Sequence, residues 1–492
     1  MKSGLAGSHP ILTCAEAAAW ENKIFDGDET KEWPAMQRAG RAIAAAVLRD
    51  FEEIGGFPAA GRVLVLAGKG HNGGDALIAA RAILEKSSAA QAEIVFVFGE
   101  RVLRPLAMRA WRELAQAAGA RVTAREDFRD GCDLCLDGVF GFQFRPPAEP
   151  RVAKLLARVN ALPIRLRAEV DLPSAGVFRA DFTYATGSVK MPVLDVATAG
   201  RVRYLDLGFF RGDETGADRV LTPAVLAPLA ALRAPQSDKR TYGHLLVVAG
   251  SRSFPGAALM TTLSALRSGA GLVTTFVPES LVPAFAARAP EAMWVGLPET
   301  PDGGLALEGQ QLLRTRLERA TALLIGPGLG REPETLALVT DLVKSSKVPL
   351  VLDADALQPE VVRAGKAPRV LTPHAGEFAR IAGQAELRAF AKKTGASVVL
   401  KGPTTCIAGG GGTVYHSFFG GPVLARGGSG DLLAGLIGGL LAQTPTEPLV
   451  AAVRGVVWHG LAADALARAH GQVAVHTTQW LDFLPVVLRS EL

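Results

Sequence analysis

Four cysteines in 492 residues are too few to staple a fold with disulfides. Cys132 and Cys135 form a Cys-x-x-Cys pair, but no second pair or histidine cluster stands near enough to complete a zinc site. Because the pair lies in an apolar run, buried reduced thiols in a strand are expected, with a redox pair as the lesser reading. This cysteine usage suits a reducing cytoplasm. Aromatic residues make up only 6%, and no dense Lys/Arg tract accompanies the formal charge of +5, which weighs against a nucleic-acid binder. The N-terminus lacks a charged stretch followed by an apolar one, and no uninterrupted apolar run reaches membrane-spanning length. Neither a signal peptide nor a membrane partner is expected. What is present is a globular balance, 49% hydrophobic and 21% charged, on a chain too long for one core.

The first half alternates short apolar runs with helical patterns. Thr13 and Glu16 form a capping-box pattern for a helix to residue 24, and a second helix is expected over 33–51. Residues 1–10 read as a loose leader. A buried strand over 62–67 runs into Gly68-Lys-Gly-His-Asn-Gly-Gly-Asp75, with a helix expected from about residue 76. Further strands are expected over 93–98, 134–138, 165–170, 182–186 and 202–206, with helices over 105–118 and 152–159. This is a doubly wound α/β pattern, whose ligand site lies at the carboxyl ends of the strands. Asn72 and Asp75, Asp137, and Asp171 with Ser174 stand at three such ends, and oxygen ligands gathered there suit a hard cation. Each Asp alone reads equally as a cap or Asx-turn.

After a mixed stretch over 208–240, expected to hold a short helix or two, the α/β pattern starts again. Strands over 243–250, 272–277, 322–325, 349–352, 369–371 and 397–400 lead into polar or Gly-rich turns, and a hairpin is expected over 406–416. The domain boundary is placed near residue 220. The stretch of greatest chemical interest is Ala425-Arg-Gly-Gly-Ser-Gly-Asp431, between an apolar segment expected to be extended (422–424) and an apolar helix over 432–442. A Gly-rich loop at a helix N-terminus leaves backbone N–H groups free for a phosphate. A carboxylate beside a phosphate repels it, so Asp431 makes sense as a general base for a hydroxyl about to meet a phosphoryl group. An N-capping Asp is the plainer alternative.

Two sets of motifs resemble known families. Pro34-Ala-Met-Gln-Arg-Ala-Gly40, the Gly68–Asp75 loop, Leu136-Asp-Gly-Val-Phe-Gly141 and Val170-Asp-Leu-Pro-Ser174 resemble the NAD(P)HX epimerase (YjeF N-terminal) domain, over about residues 11–212. The resemblance implies a Rossmann-like domain (1–220) that interconverts the R and S forms of hydrated NADH and NADPH. It implies potassium on Asn72, Asp137 and Ser174, and nucleotide contacts from His71, Asn72, Gly73, Gly74, Asp75 and Gly141. Asp171 would stand catalytically beside the hydrated ring. Departures are His71 for the first Asn, Phe142-Gln143 for Thr-Gly, and Ala175 for Gly.

Pro255-Gly-Ala257, Arg267-Ser-Gly-Ala-Gly-Leu272, Gly326-Pro-Gly-Leu-Gly330, Asp353-Ala-Asp-Ala-Leu357, Leu371-Thr-Pro-His374, Leu400-Lys-Gly402 and Gly427-Gly-Ser-Gly-Asp431 resemble the ADP/ATP-dependent NAD(P)HX dehydratase domain, of ribokinase-like fold (221–492). By that resemblance Ala257, Gly328 or Gly330, His374 and Asp431 contact the hydrated nucleotide. Lys401, Gly402, Pro403, Thr404, Thr405, Gly427, Gly428, Ser429 and Gly430 hold ADP or ATP, used with Mg²⁺, and Asp431 is catalytic. The expected whole is a two-domain α/β, metabolite-repair, NAD- and NADP-acting lyase and isomerase that forms a homo-oligomer. The rival is a ribokinase-like small-molecule kinase with a non-catalytic N-terminal nucleotide-binding or dimerisation domain.

Overall fold

The computed structural model describes residues 5–489 except 129–130, 142–143, 145–146, 175 and 195. The chain divides into two compact units. One holds His9–Gly216 and Ala467–Ala474; the other holds Leu5–Ser8, Ala217–Leu466 and the stretch from Val475.

The first unit is built on seven parallel strands. Their order is Val122–Arg125, Gln91–Phe96, Arg62–Ala67, Leu134–Gly138, Leu166–Val170, Phe182–Thr186 and Arg201–Leu205. Side chains alternate between faces. Val63 and Val65 join a layer formed with helices Glu29–Phe51, His71–Lys86 and Pro105–Ala118, while Leu64 and Leu66 join one formed with Pro150–Asn160. The order reverses between Arg62–Ala67 and Leu134–Gly138, which opens a crevice at the carboxyl ends of these two strands. The edge strand Arg201–Leu205 is tied to helix Glu29–Phe51 by Arg203–Asp50 (2.8 Å) and, just beyond its end, by Arg201–Glu53 (2.6 Å). The Gln472 amide, from the late segment, donates to the same Glu53.

The second unit has parallel strands in the order Met293–Leu297, Leu272–Pro278, His244–Val248, Ala322–Ile325, Leu350–Leu352, Arg369–Leu371 and Ser397–Leu400. An antiparallel hairpin, Thr405–Ala408 and Val414–Ser417, extends the sheet, and Asp218–Leu221 pairs parallel to its second arm. Here the order reverses between His244–Val248 and Ala322–Ile325. Helix Ser429–Gln443 is buried along its length from Leu432 to Ala442 and packs on helix Pro255–Arg267. Their approach depends on Gly435, where an added Cβ would stand 2.1 Å from the Thr261 carbonyl oxygen.

Most strand expectations match within two residues, and Thr13 caps helix Cys14–Phe25 through the expected box with Glu16. Cys132 and Cys135 are free thiols, Cys135 buried in its strand, and burial raises the Cys132 thiol to about 11. Four local readings change. The supposed leader contains strand Ser8–Leu12. Residues 422–424 form a 3₁₀ turn rather than an extended segment. Asp218–Leu221 is an unexpected strand, followed by the 3₁₀ helix Pro223–Leu229 in the stretch expected to hold a short helix. Finally, the helices start earlier than propensity indicates, at His71 rather than 76 and at Ser429 rather than 432. Among the described residues one helix, Pro448–His470, has the length and apolarity to cross a membrane; 72% of its apolar window is buried in the fold.

Gly435→Ala should cost about 1–3 kcal/mol, the range for overpacking against a backbone that cannot yield. Urea unfolding of the two proteins measures it, and a neutral result would mean that the helices separate freely.

Candidate active sites

In the first unit, strand Arg62–Ala67 turns through Gly68–Gly70 into the helix that starts at His71 without a side-chain cap, so its first amides are open. The turn is tight because the backbones nearly touch. A Cβ on Gly73 would stand 2.1 Å from Gly68 O, and one on Gly138 would stand 2.3 Å from Asn72 O. The Asn72 amide donates to Phe140 O (2.9 Å) and Val170 O (3.0 Å), joining the ends of two strands. Above this junction opens a cavity of about 610 Å³. His71, Asn72, Gly73, Asp75, Gly141 and Asp171 all line it. Gly74 is not among its lining residues and packs instead on Met36 and Ala107. Phe142 and Gln143 lie outside the described residues.

Asp171 is the most constrained acid of this cavity. Its backbone holds φ 71°, a left-handed conformation that costs a non-glycine residue energy. Its Oδ1 accepts from the Lys190 ammonium at 2.6 Å and from the Thr186 amide at 3.3 Å. Lys190 is 1% exposed. Glu21, Glu32, Asp75 and Glu149 also line the cavity, and two of these acids are shifted. Burial raises Glu21 to about 7, and burial, with Asp171 nearby, holds Asp75 well above the usual carboxylate range. Lys190, Thr186 and Glu21 were missed from sequence. Lys190 sits on a two-residue strand, Val189–Lys190, that shows no periodicity, and only the fold sets it against Asp171.

Asp137, near the carboxyl end of strand Leu134–Gly138, and Ser174 are both 0% exposed and do not line the cavity. Asp137 Oδ1 accepts from Val139 N at 2.9 Å, while its Oδ2 and the Ser174 hydroxyl have no partner among the described residues. Burial lifts the Asp137 carboxyl to about 6. Orphaned, buried, hard oxygens fit a cation.

In the second unit, Asp431 falls in the first turn of helix Ser429–Gln443, after Gly428 at φ 90°. Burial first, and Asp353 second, raise its carboxyl to about 6. The Ser429 hydroxyl donates to Leu424 O (2.7 Å) and Arg426 O (3.1 Å), which closes the loop; Thr477 donates to Gly427 O. Arg426 donates to Val475 O. Lys401 reaches the helix start, since a Cβ on Gly430 would lie 3.5 Å from its Nζ, and it pairs with buried Asp353 at 3.0 Å. Gly402 and Pro403 are exposed, with Thr404 and Thr405 half-buried, at the start of strand Thr405–Ala408. His374 bridges to Lys401 as a backbone pair, and its ring, 61% exposed, accepts from the Gly376 amide as a helix cap. Gly328 abuts Ala257, and the Gly330 amide donates to Asp355 at 3.0 Å. Asp353, the first residue of the 353–357 motif, accepts from Thr372 (2.7 Å) and from Lys401, and so orients the lysine.

The chain matches two family models, the YjeF-related protein N-terminus over residues 34–191 and NAD(P)H-hydrate dehydratase over residues 245–485. A bifunctional NAD(P)H-hydrate repair enzyme of Gloeobacter violaceus is 40% identical over 92% of both chains. The chain belongs to the bifunctional NAD(P)H-hydrate repair enzyme family. A member from Moorella thermoacetica is 34% identical, again over 92% of each chain. Among solved structures, the Bacillus subtilis ADP/ATP-dependent NAD(P)H-hydrate dehydratase co-crystallised with ATP and Mg²⁺ aligns over 52% of this chain and 92% of its own, at 32% identity and a TM-score of 0.45. In this repair-enzyme family member, the two matched segments each contain one of the two sites described above.

Lys190→Met should destabilise the first unit by about 3–5 kcal/mol, because it strands a buried carboxylate. Pairing it with Asp171→Asn should restore part of that loss. Thermal melting of the single and double variants tests this; additive losses would show that the ion pair carries no coupling.

Proposed function

We propose that this protein repairs hydrated NADH and NADPH, the first unit interconverting the R and S hydrates and the second dehydrating the S form at the expense of ADP or ATP. The observation that carries the reading is the pairing, on one chain that belongs to the family, of a cavity lined by Asp171 and Lys190 with an open helix N-terminus fronted by Asp431.

In the second unit, Asp431 accepts the proton of the ring hydroxyl, and that oxygen attacks the terminal phosphoryl group of ADP or ATP, breaking the bridging phosphorus–oxygen bond and releasing AMP or ADP. The amides of the 427–430 loop and the Lys401 ammonium oppose the charge gathering on the phosphoryl oxygens. The ring nitrogen's electron pair then expels phosphate, breaking the carbon–oxygen bond and leaving an iminium, and loss of a proton from the adjacent ring carbon forms the double bond that restores the dihydronicotinamide. Mg²⁺ would neutralise phosphate charge. Among the described residues no cluster of three His, Cys, Asp or Glu side chains offers it a cage, which suits an ion carried mainly by the nucleotide. Ala257, Gly328, Gly330 and His374 are assigned to the hydrated nucleotide, and Lys401–Thr405 with Gly427–Gly430 to ADP or ATP.

In the first unit, Asp171 moves the proton that opens and recloses the hydrated carbon, with Lys190 holding its orientation and charge. His71, Asn72, Gly73, Asp75 and Gly141 are assigned to the nucleotide. Asn72, Asp137 and Ser174 are assigned to a cation, potassium by the family resemblance, and the orphaned oxygens support the site. Free cysteines accord with a cytoplasmic setting.

The deciding assay supplies a mixture of both NADHX epimers with ADP or ATP and Mg²⁺ and follows dihydronicotinamide absorbance. Recovery of the whole pool, faster than spontaneous epimerisation, is expected. A stable phosphorylated product instead would mean a kinase. Asp431→Asn should lower the dehydration rate about 10²–10⁴-fold, the share of a general base, while nucleotide still binds. Asp431 acts ionised, so its raised value of about 6 places the loss on the acid side. The single-turnover rate should be flat above neutrality and fall about tenfold per pH unit well below 6. A profile still flat at pH 5 would remove Asp431 as the base.

A further inference from the structure

Glu169 takes no part in either reaction as described. It is fully buried and is the register partner of Asp137 on the next parallel strand, so both carboxylates leave the same face of the sheet. Ser174, also fully buried, acts on both. Among the described residues Asp137 Oδ2, Ser174 Oγ and both carboxylate oxygens of Glu169 make no well-formed hydrogen bond, although the three side chains stand close enough to act on one another and the two acids could share a proton. No cationic side chain is among the groups that act on either acid. Two carboxylates on facing positions, removed from water and unpaired, repel each other and lose hydration together. Something must neutralise them.

We propose that Glu169 is an additional ligand of the cation site and that its second carboxylate makes the site one for a hard divalent cation of the calcium class. This rests on the cation-site reading of Asn72, Asp137 and Ser174 given above. A monovalent ion would leave one negative charge buried, whereas a divalent ion balances both acids. The donors are all oxygens, with no thiolate or imidazole to favour zinc or copper. Carboxylates that bind through one or two oxygens suit the six to eight positions and flexible geometry of calcium. Magnesium keeps several waters, and a site with 0% exposure on Asp137, Glu169 and Ser174 is poor ground for them.

The test uses the full chain, stripped with a chelator and free of nucleotide. Melting and calorimetric titrations are run with CaCl₂, MgCl₂ or KCl at matched ionic strength, on the wild type, Glu169→Gln and Asp137→Asn. Calcium should raise the melting temperature of the wild type at a concentration at least about tenfold below that needed for potassium, an effect of ligand charge count. Glu169→Gln should lose about tenfold in calcium affinity and still answer potassium. Asp137→Asn should answer neither. If the wild type and Glu169→Gln both prefer potassium, the cation site stands and the role of Glu169 falls. If no cation acts on any of the three proteins, both readings fall, and the two acids share a proton instead. Should Glu169→Gln not fold, the calcium-against-potassium comparison on the wild type decides.

Discussion

Parallel pairing fixes which end of each strand meets solvent, and in both units this concentrates polar chemistry along one rim. A sheet covered by helices on both faces has its inner positions filled by Val, Leu and Ile, as in Arg62–Ala67 and Ala322–Ile325. Backbone amides and acids therefore gather where strands end and the strand order reverses. The glycines at these ends decide how close the backbones come. Gly73 and Gly138 let the first-unit loops touch, and Gly435 brings the loop-bearing helix of the second unit onto its neighbour. Without that closeness Asn72 would not span two strand ends, nor would Lys401 reach the start of its helix.

The two sites manage buried charge differently. In the second, Asp431 lies near Asp353, and the single ammonium of Lys401 bonds Asp353 rather than Asp431. The acid left over is the one whose proton affinity rises, which is what a base working near neutral pH requires. In the first, Asp171 is paired directly, and the neighbouring acids Asp75 and Glu21 absorb the upward shifts. Among the described residues, one site leaves the acid proposed as its base without a cationic partner; the other clamps its acid in a strained backbone conformation.

Much of this was legible in the chain. Short apolar runs ending in Gly or Asp announced the strands, and Gly427–Asp431 announced a glycine loop that opens a helix, because each signal is local. What escaped was set by distant partners. Residues 1–10 read as a loose leader, but their end enters strand Ser8–Leu12, whose Ile11 and Leu12 pair with Val189 and Lys190. Helix starts were placed late at His71 and Ser429 because glycine lowers helix propensity, while tight packing demands glycine inside the helix. Lys190 and Glu169 carry no local pattern. Their meaning lies in Asp171 and Asp137, which strand pairing supplies.

The first unit is not contiguous: Ala467–Ala474 returns to it after the chain has built nearly all of the second. On a ribosome adding about 5–20 residues per second, the body of the first unit would wait tens of seconds for its last piece. During that interval Glu53 has its arginine partners but not Gln472. Completion of the early unit is thus a report that the late one has been made, and the order of synthesis differs from the order in which the units close.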